Sequence, residues 1–139
     1  MPNNIYDTYL EAEVFGAEPV KLVHMLYRGA IEAVVAARRH LAAGAIRERS
    51  RQITKTWNIL HELMRVLDLE QGGEIARHLG ELYAYMQSRL IEANSLQADG
   101  PLAQVESLLG TLCEAWRTPE PERAPVSDMA EYGQVSCSY

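Results

Sequence analysis

The sequence predicts an all-α fold: an antiparallel up-down-up-down four-helix bundle, with a short segment before it and a disordered tail after it. Three observations predict this. Alanine and leucine dominate the hydrophobic residues, phenylalanine occurs once, and β-branched runs are few, a profile that favours helix over sheet. Apolar residues recur at three- and four-residue spacing in four stretches. The links between those stretches are short, which forces neighbouring helices antiparallel.

The first helix is expected to open at Pro19, whose fixed φ suits a first helical position, and to stop at Gly44. Its seam is Val23, Leu26, Ala30, Ala33, Ala37 and Leu41. The second is expected from about Ala45 to Leu69, with the seam Ile53, Trp57, Leu60, Met64 and Leu67. The third is expected from Gly73–Glu74 to Asn94, on Ile75, Leu79, Leu82, Met86, Leu90 and Ala93. The fourth opens at Pro101 and ends near Arg117, on Leu102, Val105, Leu109, Leu112 and Trp116. Trp57 and Trp116 are expected to anchor the core.

Three regions follow: residues 1–18, an aromatic and acidic segment; 19–117, the bundle; and 118–139, rich in proline, acidic and without periodicity, as expected of disorder. The net charge of −6 is concentrated in the flanks. Residues 1–18 carry four acids and no base, and 119–139 carry four acids and Arg123. The near-neutral body lacks the basic face of a nucleic-acid binder. No apolar run is long enough to span a membrane, and the first residues lack a secretory pattern. Cys113 and Cys137 read as reduced thiols of a cytosolic protein.

Catalytic chemistry finds little support. Gly72 and Gly73 precede a helix, but a phosphate loop needs a preceding strand and a following lysine or hydroxyl. Here a helix precedes and Glu74 follows, so Gly72, Gly73 and Glu74 are read as a turn and cap. No Glu-x-x-His pair exists for a di-iron centre, and Arg65 stands where the "HELMR" stretch would need a second zinc histidine. Neither a metal nor another cofactor is expected. A histidine phosphotransfer module is the alternative, carried by loose echoes at His40 and His78. The arginines of "ARRHL" and "RERSR" read as a solvated helix end or as a docking patch for an acidic partner.

The apolar surplus is more informative. Ile59, Leu63 and Val66 run beside the second seam, and Met25, Ile31, Val34 and Val35 beside the first. Such rows belong either to a wide core face or to an exposed groove that takes a partner's amphipathic helix. A bundle that self-associates through this row is a further reading.

At these residues the chain resembles the FliS-type flagellar export chaperones, which bind flagellin. "EPVKLVHMLYRGAIEAVVAARRHLAAG" (Glu18–Gly44) resembles their first long helix, through Pro19, Leu22, Met25, Leu26, Tyr27, Gly29, Ala30 and Gly44. "LDLEQGGEIARHLGELYAYMQSRLIEAN" (Leu67–Asn94) is similar to their most distinctive stretch, and "LAQVESLLGTLCEAW" (Leu102–Trp116) to their last helix. Tyr6 and Tyr9 fit the family's N-terminal aromatic segment. The chain departs from the pattern in three places. Glu18 replaces a capping Ser or Thr, the link before Pro19 is short, and the tail past Thr118 is long.

The resemblance implies a cytoplasmic bacterial chaperone with no enzymatic activity. It would hold the disordered C-terminal segment of flagellin, prevent premature polymerisation and present the complex to the type III export gate. Client contacts are expected at Met25, Ile31, Val35, Ile59, Leu63 and Val66, with Tyr6 and Tyr9 covering the groove or docking at the gate. Leu63→Glu is then expected to weaken client binding while the bundle stays helical. The protein is expected to be a monomer or weak homodimer, with no nucleic acid and no membrane insertion.

Overall fold

The computed structural model describes residues 13–16 and 20–116. Four helices make up most of them: α1 Val20–Ala42, α2 Ile46–Arg65, α3 Leu69–Leu96 and α4 Asp99–Ala115. There is no strand among the described residues. α1 packs on α2 and α4, and α3 packs on the same two helices. The four therefore close a ring, with α1 and α3 on one diagonal. Which ends meet gives the direction of each helix. At one pole, Arg38 late in α1 reaches Asp99 at the start of α4, and Arg49 early in α2 reaches Asn94 late in α3. At the other pole, Phe15 before α1 meets Trp116 after α4, edge to face, with centroids 5.4 Å apart. This is the expected antiparallel up-down-up-down bundle.

The first boundary follows from one glycine. Gly44 adopts φ +73, the left-handed conformation that costs glycine little. Its N–H donates to the Leu41 carbonyl and the Ala45 N–H to that of His40, the paired bonds that close a helix C-terminus. α3 also ends on a left-handed residue, here Gln97 at φ 53, with the N–H groups of Gln97 and Ala98 both donating to the Ala93 carbonyl, and the helix runs two residues past the expected Asn94.

The second boundary corrects the sequence reading. α2 stops at Arg65, with Val66 as its C-cap, and does not continue to Leu69. The cause is a contact distant in sequence. The Asp68 N–H donates to the Val14 carbonyl at 2.7 Å, which draws the chain out of the helix toward residues 13–16. The Asp68 carboxylate then accepts from the Gln71 N–H at 3.0 Å and caps a first turn of α3. That turn breaks at Gly73 (φ 54, ψ −129), from which the long part of α3 runs on. Gly73 is thus the break at which the long part of α3 starts, as expected, and the turn over 69–72 is an addition in front of it. The cap belongs to Asp68, while Glu74 is exposed and pairs with Arg77. Gly72 has a different task. A Cβ there would lie 2.7 Å from the Ala76 Cβ and 3.0 Å from the Val14 Cα, so the missing side chain admits the incoming segment.

The core is wider than the expected seams and rotated from them. On α2 the buried face is Arg49, Ile53, Thr56, Leu60 and Leu63, while Trp57, Met64 and Leu67 are only partly buried. On α3 it includes Tyr83 and Gln87, while Ile75 is exposed. Trp116 is buried as expected; Trp57 packs at the rim of the core. Val14 and Phe15 close the pole beside Trp116 and are both buried. Burial of two such side chains contributes roughly 1.5–3 kcal/mol each.

Candidate binding surface

Among the described residues, apolar grooves lie along two helix pairs of the bundle. The first lies between α1 and α2, lined by Leu26, Arg51, Thr54, Lys55, Asn58, Ile59 and Glu62, with a volume of about 420 Å³. A methyl at Gly29 would make an ordinary van der Waals contact with the Ile59 Cδ1, at 3.5 Å. Met25 stands one residue from Leu26 and is 59% exposed. The second groove lies between α2 and α3, lined by Ile53, Thr54, Trp57, Ile91, Asn94 and Ser95, with a volume of about 300 Å³. Trp57 is fixed there by stacking on His61, centroids 5.6 Å apart, while its carbonyl accepts from the Gln87 side-chain amide at 3.2 Å. Ile91 is 59% exposed.

The residues expected to contact a client divide into two groups. Met25 is exposed, and Val35 and Ile59 are half-buried. Ile31, Leu63 and Val66 belong to the core, at 2%, 0% and 5% exposure. For these three the wide-core reading of the apolar surplus holds, and they form no open groove. Leu63→Glu would place a carboxylate inside the bundle, so it cannot separate binding from folding. Tyr6 and Tyr9 lie outside the described residues, as does the tail 118–139. The sequence reading missed the second groove, whose exposed Ile91 follows directly on the seam residue Leu90. It also missed Val14–Phe15, although the chain's one phenylalanine in an otherwise acidic stretch was a signal for it.

The ion pairs of the described residues are partly between helices, at Arg38, and partly within one helix. Arg38 forks onto Asp99 and Glu106. Glu74 pairs with Arg77 and lies 3.6 Å from His78, and Glu62 pairs with Arg65. His24 is half-buried on α1, and its pKa is held below the ordinary value by burial first and by the Arg28 charge second. Among the described residues no three potential metal ligands converge. No helix there is long and apolar enough to cross a membrane.

The sequence matches the family model described as "Flagellar protein FliS" over residues 2–123. The "Flagellar secretion chaperone FliS" of Salmonella typhimurium is 39% identical over 114 residues, covering 81% of this chain and 84% of that one. "Flagellar secretion chaperone FliSB" of Pseudomonas aeruginosa is 36% identical over 107 residues, covering 77% and 85%. The Bacillus subtilis protein named "Flagellar secretion chaperone FliS" is 30% identical over 114 residues, covering 82% and 84%. These are named as chaperones and not as enzymes, and they lend no support to a histidine phosphotransfer module.

Proposed function

This chain belongs to the FliS family of flagellar proteins, and on that premise we propose that it is a cytoplasmic flagellar export chaperone whose client is the C-terminal segment of flagellin. The observation that carries the reading is the α1–α2 groove, with an apolar floor of Leu26 and Ile59. An unfolded client gains affinity by laying apolar side chains along a long shallow surface, with ordering entropy opposing it. No covalent step is needed. Capping the client in this way keeps it from polymerising and holds it ready for the export gate, where Tyr6 and Tyr9 are the proposed docking residues.

Met25, Val35 and Ile59 are the proposed contacts on α1 and α2, and the α2–α3 groove at Trp57 and Ile91 extends the surface for a client that wraps around the bundle. The chaperone acts as a monomer or weak homodimer, which light scattering against concentration tests. The main experiment is calorimetric titration with the C-terminal segment of the host's flagellin. Saturable one-to-one binding with a negative heat-capacity change is expected, the signature of apolar burial with coupled folding. Absence of heat with an intact bundle would remove flagellin as the client.

A further inference from the structure

The basic rim of the α1–α2 groove plays no part in holding the bundle. Arg47, Arg51 and Lys55 follow one another at four-residue spacing on α2, in line with Ile59. They therefore form one row that runs down onto the apolar floor. All three are exposed, and none makes an ion pair with another described residue. Among the described residues that line the groove the one acid is Glu62, which is engaged by Arg65. The groove thus offers an apolar strip with uncompensated positive charge at one end. Its occupant should carry apolar residues with acids set among them.

The sequence contains such a segment. Residues 118–139 hold Glu120, Glu122, Asp128 and Glu131 against Arg123 alone, and Val126, Met129 and Tyr132 recur at three-residue spacing around the last two acids. The segment can also reach. It follows Trp116, which packs against Phe15 at the pole where α1 begins, and α1 is a neighbour of α4. Thirteen positions separate Trp116 from Met129, enough extended chain for about 40 Å. The groove from Glu62 to Arg51 covers only about 16 Å of helix at ~1.5 Å per residue.

We propose that residues 118–139 dock in the α1–α2 groove of their own chain, with Met129 and Tyr132 on the Leu26–Ile59 floor and Asp128 and Glu131 against Arg51 and Lys55. The contact is internal, so it stands whether or not flagellin is the client. A ligand that takes the same groove must displace the tail.

Cys137 lies in this segment and Cys113 is buried, so a nitroxide attached to Cys137 of the full chain reports where the tail resides. A Cys113→Ala background confines the label. The methyl signals of Leu26 and Ile59 are expected to broaden, while those of Ile75 and Ile91 stay sharp. The broadening is expected to be independent of protein concentration and to be lost in Arg51→Glu/Lys55→Glu, whose exposed positions leave the bundle intact. Broadening strongest at Ile91 would assign the tail to the α2–α3 groove and overturn the proposal. So would even broadening over the surface, broadening that survives the charge reversal, or broadening that grows with concentration, which would mean a second copy.

Discussion

The hydroxyls of Tyr27 and Tyr83 meet at 2.5 Å inside the bundle, joining α1 and α3 across its diagonal. Both side chains are fully buried. Each ring supplies apolar area to the core, and the paired hydroxyls reduce the cost of carrying two polar tips into it. Tyr83→Phe is expected to lower stability by about 1 kcal/mol, and Tyr27→Phe/Tyr83→Phe by less than the sum of the single changes. Chemical denaturation of the four proteins in the cycle measures the coupling.

The same pair predicts an alkaline limit. Burial pushes the Tyr83 hydroxyl well above the ordinary tyrosine range, against a smaller opposing effect of the bond to Tyr27. The folded chain therefore keeps a proton that the unfolded chain releases near pH 10. This stability is complete below about pH 10 and falls as the pH rises further. Denaturation midpoints followed from pH 9 upward should decline, and Tyr83→Phe should make the decline shallower.

Three glycines separate space from conformation. Gly72→Ala drives a methyl into Ala76 and the Val14 backbone, and is expected to cost about 1–3 kcal/mol. Gly73→Ala has open space but a backbone at φ 54, ψ −129, and is expected to cost roughly 1–3 kcal/mol through strain. Gly110 lies within α4 with nothing near its missing Cβ, so Gly110→Ala is expected to stabilise by about 0.5–1 kcal/mol. Thermal melting ranks the three.

Arg38 predicts an acid limit. Its Nε and Nη2 donate to the two carboxylate oxygens of Asp99, at 2.8 and 2.9 Å, and its Nη1 to Glu106 at 2.8 Å. The hydrogen bond to Arg38 holds the Asp99 pKa below its ordinary value. Stability from this pair is present above about pH 4 and is lost as the pH falls through the depressed folded value. The pair is solvent-screened, so Asp99→Asn is expected to cost only about 0.5–1 kcal/mol at pH 7. Melts at pH 7 and pH 2.5 should differ less for the variant than for the parent.

Binding and folding separate at Ile59 and Leu63. Leu63→Glu is expected to unfold the bundle by burying an unpaired carboxylate. Ile59→Glu lies at the groove and is expected to leave helicity unchanged while weakening the flagellin segment by about tenfold, or ~1.4 kcal/mol. Circular dichroism and titration on the same samples make the comparison.

The bundle was legible in the sequence because its punctuation is local. Gly44 ends α1 through its own backbone, and the links around it are too short for any arrangement but an antiparallel return. The inward faces were harder to read because several of their residues have polar tips. Arg49 and Thr56 face inward on α2, Tyr27 on α1, and Tyr83 and Gln87 on α3. A seam traced through apolar residues alone skips these and rotates toward Trp57 and Met64. Leu63 and Val66 then look like surplus when they are core. Arg49 can be buried because the Asn94 side chain accepts from its Nε at 2.9 Å close to the C-terminal end of α3, where a cation is favoured. The end of α2 was not legible locally, because the hydrogen bond between Asp68 and Val14 joins residues more than fifty positions apart. The grooves depend on how far each helix is turned about its axis, which no single helix specifies.

The Phe15–Trp116 contact joins the two ends of the described chain at one pole. Tension applied through the flanks would therefore load α1 and α4 at neighbouring ends and pull them apart sideways, a few side-chain contacts at a time. Their full interface would never have to slide at once. A bundle gripped this way opens like a zip, at forces well below those needed to shear parallel-loaded helices, and Phe15 and Trp116 form the first tooth.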